Sequence, residues 1–179
     1  VLDCDKIKIF KDTCYPKIEY TDIIPGGQNL AGVYQFAVAY ADARSNSLTD
    51  YFNVTNPIPL GNKAITQETN YPVSKSIKLH IDNINLDFDY INLVVVKTIT
   101  ANNGMVSSEA YLVGTFDIQS TSLDYVYTGI DKNLLKDVAL DELFKKTAKY
   151  SKPLGAGESN GVLFFYGLEE PRTLNLQPV

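Results

Sequence analysis

The chain has 179 residues and a formal net charge of −5, with twelve tyrosines, eight phenylalanines, no tryptophan and one methionine. That length suits one domain with part of a second, and folding should bury roughly 70% of the unfolded surface, enough for a core without covalent staples. The acidic balance and the lack of a basic run argue against a phosphate-gripping nucleic-acid surface, and no apolar stretch approaches the roughly 20 residues of a membrane span.

Cys4 and Cys14 can pair across a short loop or stay as two thiols, and their spacing does not choose between these. The chain begins at Val1 without the basic and apolar regions of a signal peptide, and reads as a fragment or a processed product. Lys6 to Phe10 (KIKIF) and Lys17 to Asp22 are short alternating segments, separated by Asp12-Thr13 and Pro16, that read as extended edge strands.

Pro25 to Leu60 is the most informative stretch. Gly26-Gly27 and Gly32 suit tight turns or close backbone approach. From Val33 to Ala41 the pattern has period two: Tyr34, Phe36, Val38 and Tyr40 point one way, and Gln35, Ala37, Ala39 and Ala41 the other. The large face should meet a core. The small face suits a second layer or a neighbouring chain lying close. Asp42 to Ser47 reads as a polar turn and Tyr51 to Val54 as the returning strand of a hairpin, while Pro57 and Pro59 mark an edge or an exit.

Gly61 to Ser74 is the expected long loop. In Ser76 to Ile81, Ile77, Leu79 and Ile81 should face in, and Lys78 and His80 out. His80 is the only histidine, and no Ser or Cys nucleophile in a triad-like setting accompanies it, so it reads as a surface residue. The run Asp82 to Asp89 (DNINLDFD) offers oxygen ligands at alternate positions. Ile84, Leu86 and Phe88 fill the gaps and no central Gly makes an EF-hand turn, so calcium and a solvated connection both stay open.

Tyr90 to Thr100 is a strand apolar on both faces from Leu93 to Val96, as in a sheet covered on both sides. Asn102-Asn103-Gly104 marks a hairpin turn, Ala110 to Ile118 returns, and Leu123 to Tyr127 closes the set. From Lys17, about seven strands at such spacing define the fold class as mainly β, an immunoglobulin or fibronectin type III-like β-sandwich. Leu134, Leu135, Val138, Leu140, Leu143 and Phe144 fall near helical spacing, with Asp137 or Asp141 as a local cap. Ser151 to Asn160 reads as a linker, without the Lys-Ser/Thr of a phosphate loop, and Gly161 to Leu168 as a new apolar strand opening a further layer. The organisation predicted is an extended segment over 1–16, a sandwich over 17–130, a helical segment over 131–150, and a linker with one strand over 151–179.

In this order, the pieces resemble the large structural tail proteins of short-tailed bacteriophages, the tail nozzle or tubular proteins, especially those of crAss-like phages. Three stretches carry the likeness: GGQNLAGVYQFAVAYADARSNSLTDYF from Gly26 to Phe52, DYINLVVVKTI from Asp89 to Ile99, and LDYVYTGIDKNLLKDVALDELF followed by NGVLFFYGLEE. The sequence departs from the family pattern at Asn160-Gly161, where an Arg often follows the Asn, and in the polar insertion around Gly61 to Ser74. The resemblance implies a non-enzymatic virion part in the tail, assembled in the host cytoplasm as a homo-oligomeric ring beside other tail proteins. It implies a channel that DNA traverses without specific binding, and no catalytic, cofactor or metal residues. The competing reading is an extracellular sandwich that binds carbohydrate or protein through exposed Tyr51 and Tyr71. An enzyme would need carboxylates such as Asp117 and Asp124 brought together, for which the sequence gives no reason.

Overall fold

Strict alternation in the chain becomes two antiparallel sheets with one apolar filling between them. The computed structural model describes residues 15–52, 54–61, 71–100, 105–129, 136–144, 152–159 and 162–169. The chain divides into two compact units, Cys14–Lys145 and a second that joins Val1–Thr13 with Lys146–Val179.

In the first unit, β1 (Lys17–Pro25), β4 (Lys75–Asp82) and β7 (Leu123–Tyr127) form a three-stranded sheet in the order β1-β4-β7. The other strands are β2 (Gly32–Ala41), β3 (Ile58–Leu60), β5 (Tyr90–Thr100), β6 (Val106–Asp117) and β8 (Lys136–Val138), ordered β3-β2-β5-β6-β8. Successive strands cross repeatedly between the sheets, and this holds them face to face. The filling comes from both. Tyr34, Phe36, Val38 and Tyr40 of β2 and Ile91, Leu93 and Val95 of β5 meet Ile77, Leu79 and Ile81 of β4 and Tyr127 of β7 in one buried cluster. The edge of the Phe36 ring meets Tyr127 at 5.3 Å, and Tyr40 stacks flat on Phe88 at 4.0 Å. At roughly 1.5–3 kcal/mol per buried large apolar side chain, this filling is the main source of stability.

The mainly β fold, the short helix and the late strand match the sequence reading. Several local readings do not. Tyr51, Phe52 and Val54 stand in no regular strand, and Asn53 lies outside the described residues: ladder pairing of β3 with β2 is confined to Ile58–Leu60, from Gly32↔Leu60 to Tyr34↔Ile58. Of the helical stripe, Leu134 and Leu135 lie outside the described residues, Val138 stands in the strand β8, and α1 spans Leu140–Phe144. Asp137 therefore lies in a strand, and Asp141 inside the first helical turn. The presumed linker is the strand β9 (Lys152–Ser159), paired antiparallel with β10 (Val162–Glu169). Cys4, Cys14, Lys6 to Phe10, Asn102 to Gly104 and most of the Gly61 to Ser74 loop lie outside the described residues.

Candidate interaction surfaces

The two sheets present different outer faces. On the three-stranded sheet the outward positions are mostly polar, with Val126 of β7 exposed among them. Lys17 pairs with Glu19, the Thr21 hydroxyl donates to the Lys78 carbonyl, and His80 Nδ1 lies 2.8 Å from Asp124 Oδ1. His80 and Asp124 are direct cross-strand partners, so the ladder itself sets this pair, and the bond to His80 holds the Asp124 carboxyl below its ordinary range. The sequence placed His80 outward, correctly, but gave no sign of its partner, because register lies outside sequence alternation. Asp117 sits at the far end of β6, opposite Tyr90.

The five-stranded sheet is covered on both faces. Ala37, Val94, Val96 and Ala110 are buried beneath Leu143 of α1, with Leu140, Val138, Tyr51 and Val54 packed around them. The small face of β2 thus has its second layer within the chain itself. Methyl-sized side chains let that layer lie close, and burial on both sides explains why β5 is apolar throughout its centre.

The layer's polar half is built on the turn after β2. The Asp42 carboxylate accepts the backbone amides of Arg44 at 2.8 Å and Asn46 at 2.9 Å, and the Asn46 side-chain amide at 2.9 Å. These bonds, the Asn46 side chain foremost, hold the Asp42 carboxyl below its usual range. Ser45 takes a positive φ of 64° there, which turns its carbonyl toward the sheet. Buried Asn92 donates to that carbonyl at 3.0 Å and accepts the Thr115 hydroxyl at 2.6 Å, while the same hydroxyl lies 2.7 Å from Ser45 Oγ. The turn is thereby bolted across β5 and β6.

Between this turn, β8 and α1 opens a cleft of about 770 Å³, with Asn92 and Leu112 among its lining residues and Asp50, Tyr51, Asp137 and Glu142 around it. Tyr51 is half-buried, its phenol pushed up mainly by burial and further by Glu142, and the Ser47 hydroxyl donates to it at 3.3 Å. Tyr71 packs against the main core and its carbonyl accepts the Ala31 amide. Neither is the free aromatic platform a sugar-stacking module requires, which corrects the reading that made them ligand contacts.

The run Asp82 to Asp89 is folded into the core and its own turns. Ile84 is buried, Phe88 lies on Tyr40, and the Asn85 amide donates to the Tyr40 hydroxyl at 2.7 Å. Asp82 accepts the amide of Asn83, and Asn85 that of Asp87. Among the described residues, no cluster of three or more His, Cys, Asp or Glu is placed to hold a metal ion. No helix among them is long and apolar enough to cross a membrane.

The second unit contributes the β9–β10 hairpin. Its ladder puts Phe164 opposite Gly157 and Tyr166 opposite Gly155. A Cβ on either glycine would fall inside the facing ring, at 2.9 Å from Phe164 and 2.4 Å from Tyr166. The aromatic rings therefore lie over the bare glycine backbone and make a flat apolar face. That geometry was missed because glycines between Pro153 and Ser159 read as a linker until their partners are known.

The first unit is thus a two-layer β domain in which the described polar groups mostly tie down its own turns. A model of the Crassvirus muzzle protein family matches residues 2–175, and the chain belongs to that family, which makes it a virion structural protein of a crAss-like phage. A search of curated proteins finds no match.

Proposed function

We propose that the chain is one of several identical copies forming a ring in the phage tail nozzle, around the channel through which DNA leaves the particle. The observation that carries this reading is the muzzle-family match over residues 2–175. The net charge of −5 supports it, because a passage for DNA should repel the phosphate backbone weakly rather than hold it. Ring closure would come from heterologous contacts between copies, with other tail proteins above and below. The sandwich would serve as a fibronectin type III-like building block: the pairing of β1 with β4 in one sheet and the order β3-β2-β5-β6 in the other support that, with β7 added beside β4. Its role is mechanical, assembled in the host cytoplasm, and no residue is assigned to catalysis, a cofactor or a metal.

Peptide mass spectrometry on density-purified particles tests this directly. Peptides at a stoichiometry comparable to other tail proteins, followed by imaging that places the density at the tail tip, are the expected result. Absence from intact particles, or density elsewhere in the virion, refutes the tail-ring reading.

A further inference from the structure

The second compact unit is made of two stretches that flank the sandwich in the chain, Val1–Thr13 before it and Lys146–Val179 after it. Its described part is the β9–β10 hairpin, and two strands alone are at best marginally stable. Within β9, Pro153 is buried, although its only ladder partner is Leu168 on β10. A bare hairpin leaves such a position open to water, so cover reaches β9 from outside the hairpin.

The outer edge of β9 says what a neighbouring strand must carry. Alternation puts Leu154, Ala156 and Glu158 on one face; Gly155 and Gly157, under the rings of Tyr166 and Phe164, lie on the other. A strand on this edge needs a cation beside Glu158 and an apolar group beside Leu154, which is 74% exposed. Two aliphatic groups beside the glycines would wall in the rings. Residues 6–10, in the same unit, read KIKIF. Laid antiparallel with Lys6 opposite Glu158, they put Phe10 opposite Leu154, and Ile7 and Ile9 opposite Gly157 and Gly155. Lys8 is then diagonal to the same carboxylate.

Two other stretches of the unit fail this match. In residues 172–177 (RTLNLQ), pairing Arg172 with Glu158 would lay polar Thr173 and Asn175 beside the rings. Residues 146–151 (KTAKYS) hold no aliphatic pair at alternate positions. β10 has no charged residue before Glu169, so the lysines select β9 over the hairpin's other edge.

We infer that residues 6–10 are the third strand of this sheet, pairing along the outer edge of β9 within the same chain. The sheet is a clasp that ties the stretch before the sandwich to the stretch after it. The inference does not depend on the ring reading.

Amide hydrogen exchange on the full 179-residue chain tests it, read residue by residue by NMR. In a bare hairpin, alternate amides from Leu154 to Glu158 point away from β10 and exchange freely, whereas a third strand protects consecutive amides. The expected result is consecutive protection, with nuclear Overhauser contacts between Ile9 and Gly155. Ile9→Asp should cut protection of the outward amides about ten-fold or more and leave β4 and β5 unchanged, while Ile9→Val should keep it. Protection at alternate amides only, protection that survives Ile9→Asp, or the absence of the Ile9–Gly155 contacts would each overturn the third strand. Sedimentation velocity on the same sample fixes the source. Outward protection confined to an associated species and missing from the monomer would place the strand on a neighbouring copy, and overturn the pairing within one chain.

Discussion

Gly26 and Gly27 offer a controlled experiment on the crossing from β1 to β2. Both hold a positive φ, 98° and 96°, so an alanine pays a similar conformational penalty at either, about 1–2 kcal/mol. Their surroundings differ. A Cβ at Gly26 meets nothing within 4 Å, whereas one at Gly27 falls 2.4 Å from Ser76 Oγ, 2.8 Å from the Thr128 carbonyl and 3.0 Å from the Lys75 carbonyl. Ser76 could rotate away only by giving up its 2.8 Å bond to the Gly26 carbonyl, which costs about 1 kcal/mol. The two carbonyls belong to backbone and cannot rotate. Thr128 O accepts the Gln28 amide at 2.6 Å, and Lys75 O accepts buried Asn29 at 2.9 Å, so moving either breaks a further bond. Overpacking of this kind adds about 1–3 kcal/mol. Gly26→Ala should therefore cost about 1 kcal/mol and Gly27→Ala about 3–4 kcal/mol, from a total of roughly 5–15 kcal/mol. In urea unfolding followed by circular dichroism, the two midpoints should differ by about 1–1.5 M, at a slope of about 2 kcal/mol per M. Equal midpoints would mean that close approach at Gly27 is not what the sequence is satisfying.

Asn92→Ala should destabilise by about 1–3 kcal/mol, by stranding the Ser45 carbonyl while the Thr115 hydroxyl keeps Ser45 Oγ as its acceptor, and should raise amide exchange in residues 42–47 above the rest of the sheet. Ala37→Leu should cost about 1–3 kcal/mol by forcing α1 off the sheet, and near-ultraviolet dichroism of Tyr51 should report the shift, whereas an unchanged spectrum and midpoint would show the layer to be loose. The folded Asp42 carboxyl titrates below its unfolded value, so its contribution is complete above the ordinary carboxylate range and is lost as pH falls through the lowered folded value. Amide resonances of Arg44 to Asn46 should therefore move as pH falls below about 4, and Asp42→Ala should abolish that dependence.

What was legible in the chain is what depends on a residue and its near neighbours. The period-two pattern of β2 and β4 gave the inward residues by name, because large side chains alternate with small ones from Tyr34 to Tyr40 and apolar ones with polar ones from Ile77 to Ile81. The missed elements depend on distant partners. β9 is rich in Gly and Pro, and it is a strand only because Phe164 and Tyr166 lie over its glycines. β8 is three residues within a stripe of helical spacing, and its pairing with Ala110–Leu112 decides against helix. From Ser47 to Phe52, and again at Thr55, the chain does bond along β2, but two threonine hydroxyls replace carbonyls: Thr49 Oγ1 takes the Tyr40 amide at 3.1 Å and Thr55 Oγ1 the Phe36 amide at 2.9 Å. A strand rule cannot register pairing carried by side chains. The cleft was invisible for the same reason, since it joins residues from the turn, β5, β6, β8 and α1.

The central position of β4 also sets an order on folding. It pairs with β1 from Lys17↔Asp82 to Pro25↔Lys75, and with β7 from Ile77↔Tyr127 to Ile81↔Leu123. Both pairings close long loops, whereas β5 and β6 join locally through Thr100↔Val106. During synthesis β4 emerges well before β7, so Ile77, Leu79 and Ile81 have no complete sheet to enter until the chain has passed Tyr127. The β5–β6 hairpin is then the natural nucleus and the three-stranded sheet the last to close. Ribosome pausing before residue 127 would leave Ile77, Leu79 and Ile81 without their second neighbouring strand.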